Sequence, residues 1–278
     1  MIQQIRLCLV VLTVLALTGF AAPVRAQAPR AAAGTDPASV PFLDRTGMAS
    51  GGPFNYQVFV PAHLNRRRAY PVILFLHGSG ERGDDNRAQT KNGIRLLIGR
   101  DTDRFPCVVV CPQCRAGASW TDPEMEELAL AALDQSVKEF HGDLSRIYLT
   151  GLSMGGYGTW DLAQRFPARW AAIAPCCGGR RYPKELADPT NHPIGDPYLE
   201  AAQKIVALPA WVFHGGADGT VPVSESRQMV ALLFLLEQGR KDADLKYSEY
   251  PGVGHNSWDY AYKEPDLLPW MLSHRRPK

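Results

Sequence analysis

The chain has 278 residues, 45% hydrophobic and 21% charged, with a formal net charge of +2. That is enough for one sizeable core, and an α/β fold of this length commonly forms a single domain. The balance of charge gives no footing for nucleic acid or an acidic partner. The single basic block, Arg66-Arg67-Arg68, stands just before a strand and reads as a solvated turn.

Met1 to Arg6 is short and carries a positive charge, and Leu7 to Leu17 is almost purely apolar. A break follows at Gly19 and Pro23. Val24-Arg25-Ala26 then sets small residues at −3 and −1 of a cut before Gln27. This pattern predicts a secretory signal peptide over residues 1–26, and an exported product, periplasmic or secreted. The apolar run is shorter than the roughly 20 residues of a spanning helix, so no stable membrane insertion is expected after cleavage. Cys8 lies inside the run and no cysteine follows the cut, which gives no signal for a lipid anchor.

Residues 27–45 are rich in Ala, Pro, Gly and Ser and predict a flexible linker, leaving 46–278 as the folded domain. Phe54 to Val60 alternates like a half-buried strand, whereas Val72 to Leu76 is continuously apolar, as in a strand covered on both faces. Further strands are expected at Cys107 to Cys111, Ile147 to Thr150, Ala171 to Ala174 and Ala210 to Phe213, with Leu245 to Tyr250 alternating again. Helices are expected over Pro123 to Phe140 with Asp122 as cap, Gly155 to Phe166, Ser224 to Gln238 and Pro265 to Ser273. Strands alternating with helices predict a mostly parallel sheet between two helical layers.

Gly151-Leu152-Ser153-Met154-Gly155 matches G-x-S-x-G, directly after a strand and before a helix. In that setting the serine stands on a sharp turn, and the flanking glycines let neighbouring backbone approach. A serine hydroxyl needs a base. With the order Ser, Asp or Glu, His, only His192, His214, His255 and His274 remain. His274 belongs to a basic tail, His192 to a Pro-rich stretch, and His214 ends a strand before Gly215-Gly216, where a structural role suits it. His255, in the glycine-rich loop after the last strand, is the expected base. Asp218, in the loop after the strand ending at Phe213, is the expected acid that orients it, with Asp196, Asp242 and Asp244 as rivals. Backbone N–H groups of Met154 and Ser79, with Gly80 as the alternative to Ser79, are expected to receive a developing oxyanion.

Removing the leader leaves Cys107, Cys111, Cys114, Cys176 and Cys177. An odd count leaves at least one thiol unpaired within the chain. Cys111-Pro112-Gln113-Cys114 has redox spacing, but a loop follows where a reactive thiol would want a helix. The adjacent pair Cys176-Cys177 makes a poor half of a zinc site, so no metal is expected.

These segments together resemble the esterase and predicted-peptidase group of α/β hydrolases, related to polyhydroxybutyrate-depolymerase-like and feruloyl-type carbohydrate esterases. The resemblance rests on Pro71 to Gly83, Cys111 to Cys114 with Trp120, Gly151 to Trp160, Ala174 to Gly179, the Asp218 loop, and Gly254 to Asp259. It implies an α/β-hydrolase fold over 46–278 and a carboxylic-ester hydrolase working through an acyl-enzyme on Ser153, Asp218 and His255. It implies an ester substrate, free or polymer-linked, and no cofactor. Trp120 and Trp258 are expected near the site, where each would stack on substrate or simply pack. Two alternatives stand beside this: a hydrolase of short peptides, and a binding protein using the fold without catalysis. Nothing in the sequence speaks to oligomeric state.

Overall fold

The computed structural model describes residues 36–65, 67–180, 196–238 and 244–276. The expected leader, and His192 and Asp242 among the rival site residues, lie outside them.

Eight strands form one sheet in the order β1-β2-β4-β3-β5-β6-β7-β8. They are β1 (Leu43–Ala49), β2 (Gly52–Phe59), β3 (Tyr70–Leu76), β4 (Val108–Pro112), β5 (Gly142–Leu152), β6 (Ala172–Cys176), β7 (Ala210–Gly215) and β8 (Leu245–Tyr250). β2 runs antiparallel to both its neighbours, β1 and β4, and β3 to β8 pair in parallel. The described helices are α1 (Ile94–Ile98), α2 (Pro123–Glu139), α3 (Met154–Arg165), α4 (Pro197–Ile205), α5 (Ser224–Leu236), α6 (Trp258–Ala261) and α7 (Leu267–Ser273).

The apolar run in β3 explains the two layers. Successive side chains of a strand point to opposite faces. Val72, Leu74 and Leu76 enter one core with Leu128 of α2, Leu162 of α3, Ala201 of α4 and Met229 of α5. Ile73 and Phe75 enter the other with Ile94 of α1, Ala261 of α6 and Leu267 of α7. Each such fully buried aliphatic or aromatic side chain contributes about 1.5–3 kcal/mol relative to exposure, which holds both helical layers on the sheet. Every residue of β4, β6 and β7 is buried, as a strand covered on both faces requires.

The strand order fixes where a site can form. From β3 the chain moves to β4 on one side, and then crosses to β5 on the other. The loops leaving β3 and β5 at their carboxyl ends therefore diverge, opening a crevice between them.

Three expectations need correction. The linker reading fails over its described part. Asp36 caps the short turn Pro37–Ser39, Val40 is buried, and Arg95 donates to the Val40 carbonyl at 2.8 Å. β1 then begins at Leu43, so a boundary at residue 46 cuts a strand. As an edge strand with one buried residue, β1 carries no alternating pattern to read. Asp196 stands at the start of α4, whose first turn it caps by accepting from the Tyr198 N–H at 2.9 Å. Asp122 does sit at the N-terminal boundary of α2, but its carboxylate turns back to the Ser119 N–H at 2.7 Å.

Candidate active site

Ser153 follows β5 directly and opens α3, with φ +53° and ψ −117°. A non-glycine residue at positive φ is strained, and it persists only where its surroundings hold it. Here the Ser153 N–H bonds the Cys176 carbonyl at 3.0 Å, and its carbonyl accepts from the Tyr157 N–H. Gly155 makes the turn possible. A Cβ there would stand 1.9 Å from the Leu76 carbonyl oxygen, so only glycine lets α3 settle against β3.

His255 and Asp218 arrive on two loops that continue the pairing of β7 with β8. Gly216 N–H bonds the Tyr250 carbonyl and Ala217 N–H the Val253 carbonyl, both at 2.9 Å. This zipper brings His255 Nδ1 to 2.7 Å from Asp218 Oδ2, and His255 Nε2 to 2.8 Å from Ser153 Oγ. Because an ionised carboxylate only accepts, Nδ1 carries the proton and Nε2 is left to accept from the serine hydroxyl. The three side chains form one hydrogen-bonded line.

Asp218 is saturated with donors. Its Oδ1 accepts the N–H groups of Thr220 at 2.8 Å and Val221 at 2.9 Å. Burial pushes its pKa up, but hydrogen bonds from His214, His255 and these two amides outweigh that and hold the carboxyl well below the usual range. For His255, burial works against the charged ring, yet the Asp218 hydrogen bond and nearby negative charge leave its pKa raised. A base that binds its proton firmly, beside a hydroxyl at hydrogen-bond distance, is equipped for proton transfer.

The other named residues sort clearly. His214 is fully buried, its Nδ1 2.7 Å from Ser226 Oγ and its Nε2 3.1 Å from the Val221 carbonyl. Asp196 is spent on its helix cap, and Asp244 accepts from the Trp270 indole at 2.9 Å. His274 rests on the Trp270 ring with Nε2 3.0 Å from Asp244, away from solvent where its basic tail suggested. Met154 N–H is the first of α3, with no preceding turn to bond. Ser79 opens the short turn Ser79–Glu81, and its N–H takes no backbone acceptor among the described residues. The loop carrying it lies over the serine: a Cβ on Gly78 would be 3.7 Å from Ser153 Cβ.

Trp258 stands edge-on to the His255 ring at 5.4 Å between centroids and is partly exposed, so it borders the site. Trp120 does not. It is 1% exposed, and its indole N–H is committed to the His77 carbonyl at 2.9 Å. Its ring packs on His77, which makes it a support beneath the loop rather than a surface for substrate.

The CxxC segment also has a role that spacing did not reveal. Cys114 N–H donates to His77 Nε2 at 2.9 Å, and His77 Nδ1–H reaches the Gly78 carbonyl at 2.6 Å. Gln113 donates to the Glu81 carbonyl at 3.1 Å. The segment thus clamps the loop after β3. Burial pushes the Cys114 thiol up to about 12 and the Cys111 thiol higher still, the opposite of what a redox thiolate needs. The five described cysteines are all buried and free. One of them, Cys177, has φ +41° and a sulfur within 4.8 Å of ligand atoms of Asp218 and His255, a proximity with no mark in the sequence.

The fold is shared with known proteins. A solved structure described as a thermostable esterase superposes with a TM-score of 0.70 at 34% identity, covering 84% of this chain and 63% of that one. The chain has the α/β-hydrolase fold. A bifunctional acetylxylan esterase/xylanase from Neocallimastix patriciarum is 33% identical over 124 residues, 44% of this chain and 17% of that protein. Poly(3-hydroxyalkanoate) depolymerase C from Paucimonas lemoignei is 29% identical over 154 residues, 51% of this chain and 36% of that protein. This chain therefore spans less than two thirds of each of these relatives. No family model matches it. Among the described residues of this α/β-hydrolase fold, no helix is long and apolar enough to cross a membrane.

Proposed function

We propose that the chain is an exported serine hydrolase of carboxylic esters that works through an acyl-enzyme. The observation that carries this reading is the unbroken line from Asp218 through His255 to Ser153, ending on a residue held at positive φ. Similarity to esterases and a polyester depolymerase supports an ester as the bond cleaved.

In this reading His255 Nε2 takes the Ser153 proton as Oγ attacks the ester carbonyl. The tetrahedral oxyanion is received by the N–H groups of Met154 and Ser79, backbone dipoles that need no rearrangement to meet it. The imidazolium, held by Asp218, then gives its proton to the departing alcohol. Water then loses a proton to the same nitrogen as its oxygen attacks the acyl carbon; the bond to Ser153 Oγ breaks, His255 returns the proton to Oγ, and the acid leaves. No step calls for a metal or organic cofactor. Export rests on the leader pattern of residues 1–26.

A fluorophosphonate probe tests the mechanism directly. It should label the folded protein, and Ser153→Ala should abolish both labelling and hydrolysis of p-nitrophenyl acetate. Labelling that persists in the Ser153→Ala protein would refute the assignment.

A further inference from the structure

Beside the proposed nucleophile lies a carboxylate that neither the fold nor the proposed mechanism uses. Glu81 ends the short turn Ser79–Glu81 and is only 9% exposed. Asn92 Nδ2 donates to its Oε1, which fixes the orientation of the group. Its Oε2 accepts from no donor, and pairs with no Lys, Arg or His, among the described residues. Nor is this oxygen among the fully buried atoms lacking a partner, so it faces accessible space.

The oxygen is close to the serine. A Cβ on Gly78 would lie 2.8 Å from Leu152 Cδ1, 3.0 Å from Glu81 Oε2 and 3.7 Å from Ser153 Cβ, so the free oxygen and the serine flank the same glycine. The turn is anchored from below by Gln113, which donates to the Glu81 carbonyl at 3.1 Å, and by Gly83 N–H on the Cys114 carbonyl at 3.0 Å. The carboxylate is thus preorganised, with Oε1 held by Asn92 and Oε2 open to a donor that reaches it from the accessible side.

We propose that Glu81 is a specificity-determining residue that accepts a hydrogen bond from a hydroxyl of the substrate, one carried close to the scissile ester. The partner class is a hydroxylated ester, such as a partly acylated sugar or polyol. A single carboxylate with a neighbouring amide suits a hydroxyl, which both donates and accepts. The proposal rests on the hydrolase reading above.

The test compares kcat and KM for an acetylated monosaccharide and for p-nitrophenyl acetate, which has no donor, in the wild type, E81Q and E81A. Circular dichroism checks folding, and E81Q keeps an amide oxygen for Asn92. The expected result is a preference for the sugar ester that falls at least about tenfold in E81A, chiefly through KM, and less in E81Q, because a hydroxyl can turn to accept from an amide. An unchanged preference in both variants overturns the proposal, as does a wild type that labels with fluorophosphonate but turns over no acetylated sugar. An equal collapse in both variants, seen only with cationic aminoacyl esters, would assign the oxygen to an ammonium instead. Failure of the wild type to label at all removes the hydrolase reading, and this one with it.

Discussion

His214 Nε2 lies 3.3 Å from Asp218 Oδ2, the same oxygen that His255 Nδ1 reaches at 2.7 Å, and both His214 and Asp218 side chains are fully buried. The Ser226 hydroxyl sits at His214 Nδ1 and the Val221 carbonyl at Nε2, so Nε2 bears the proton and aims it at Val221 and Asp218 together. The acid of the proposed triad is therefore shared between two imidazoles, and the second one draws charge away from the first.

A pH profile should expose this sharing. His255 must be neutral to accept the Ser153 proton, and its pKa is raised. Wild-type kcat/KM should accordingly fall as the solution is acidified, with a midpoint above the ordinary histidine value of about 6.5. Replacing His214 with Asn withdraws one donor from Asp218, leaving more negative charge facing His255. The acid limb should then move to still higher pH. An acid limb that stays in place while only thermal stability drops would reduce His214 to a packing residue.

His77 gives stability its own pH dependence. Burial first of all, offset in part by the Gly78 carbonyl, lowers its pKa to about 4 from 6.5. Between those two values the unfolded chain binds a proton that the native ring refuses, so the contribution of His77 is complete above about 6.5 and is lost as pH falls toward 4. At one unit per 1.36 kcal/mol the loss is on the order of 3 kcal/mol. Asp218, with its depressed pKa, adds a loss of the same sign only at more acid pH. Thermal melts of wild type and His77→Gln from pH 7 to pH 4 check this. The slope of Tm against pH in that window should flatten in the variant, while an equal slope in both would remove His77 as its source.

Gly155→Ala should prevent folding or lower Tm severely, because the new methyl would stand 1.9 Å from the Leu76 carbonyl oxygen. Neither backbone can yield without displacing β3 or α3. Gly80→Ala provides the contrast: nothing lies within 4 Å of a Cβ there and the position has no positive φ, so Tm should shift little. Differential scanning calorimetry of the two variants separates close approach from a general intolerance of the glycine loops.

Much of the framework was legible because it depends on local pattern. The apolar run Val72 to Leu76 had to be a strand covered on both sides, and the alternation at Leu245 to Tyr250 marked another strand. Short or edge elements escaped for the same reason. α1 spans five residues, too few to show a helical period, and β1 buries one residue in seven. The role of Trp120 stayed open because an aromatic near a motif looks the same in sequence whether it faces substrate or core. Only packing against His77 distinguishes the two.

The sequence by itself determined the serine turn, since G-x-S-x-G between a strand and a helix is a local matter of backbone strain and missing side chains. It also narrowed the base and the acid by chain order. Whether Ser153, Asp218 and His255 meet at hydrogen-bond distance was decided only by the tertiary structure, because three loops must converge and the contacts joining β7 to β8 set where two of them end. The same holds for the second histidine on Asp218 and the open oxygen of Glu81. Both are relations between distant segments, fixed by how the sheet is ordered rather than by any run of residues.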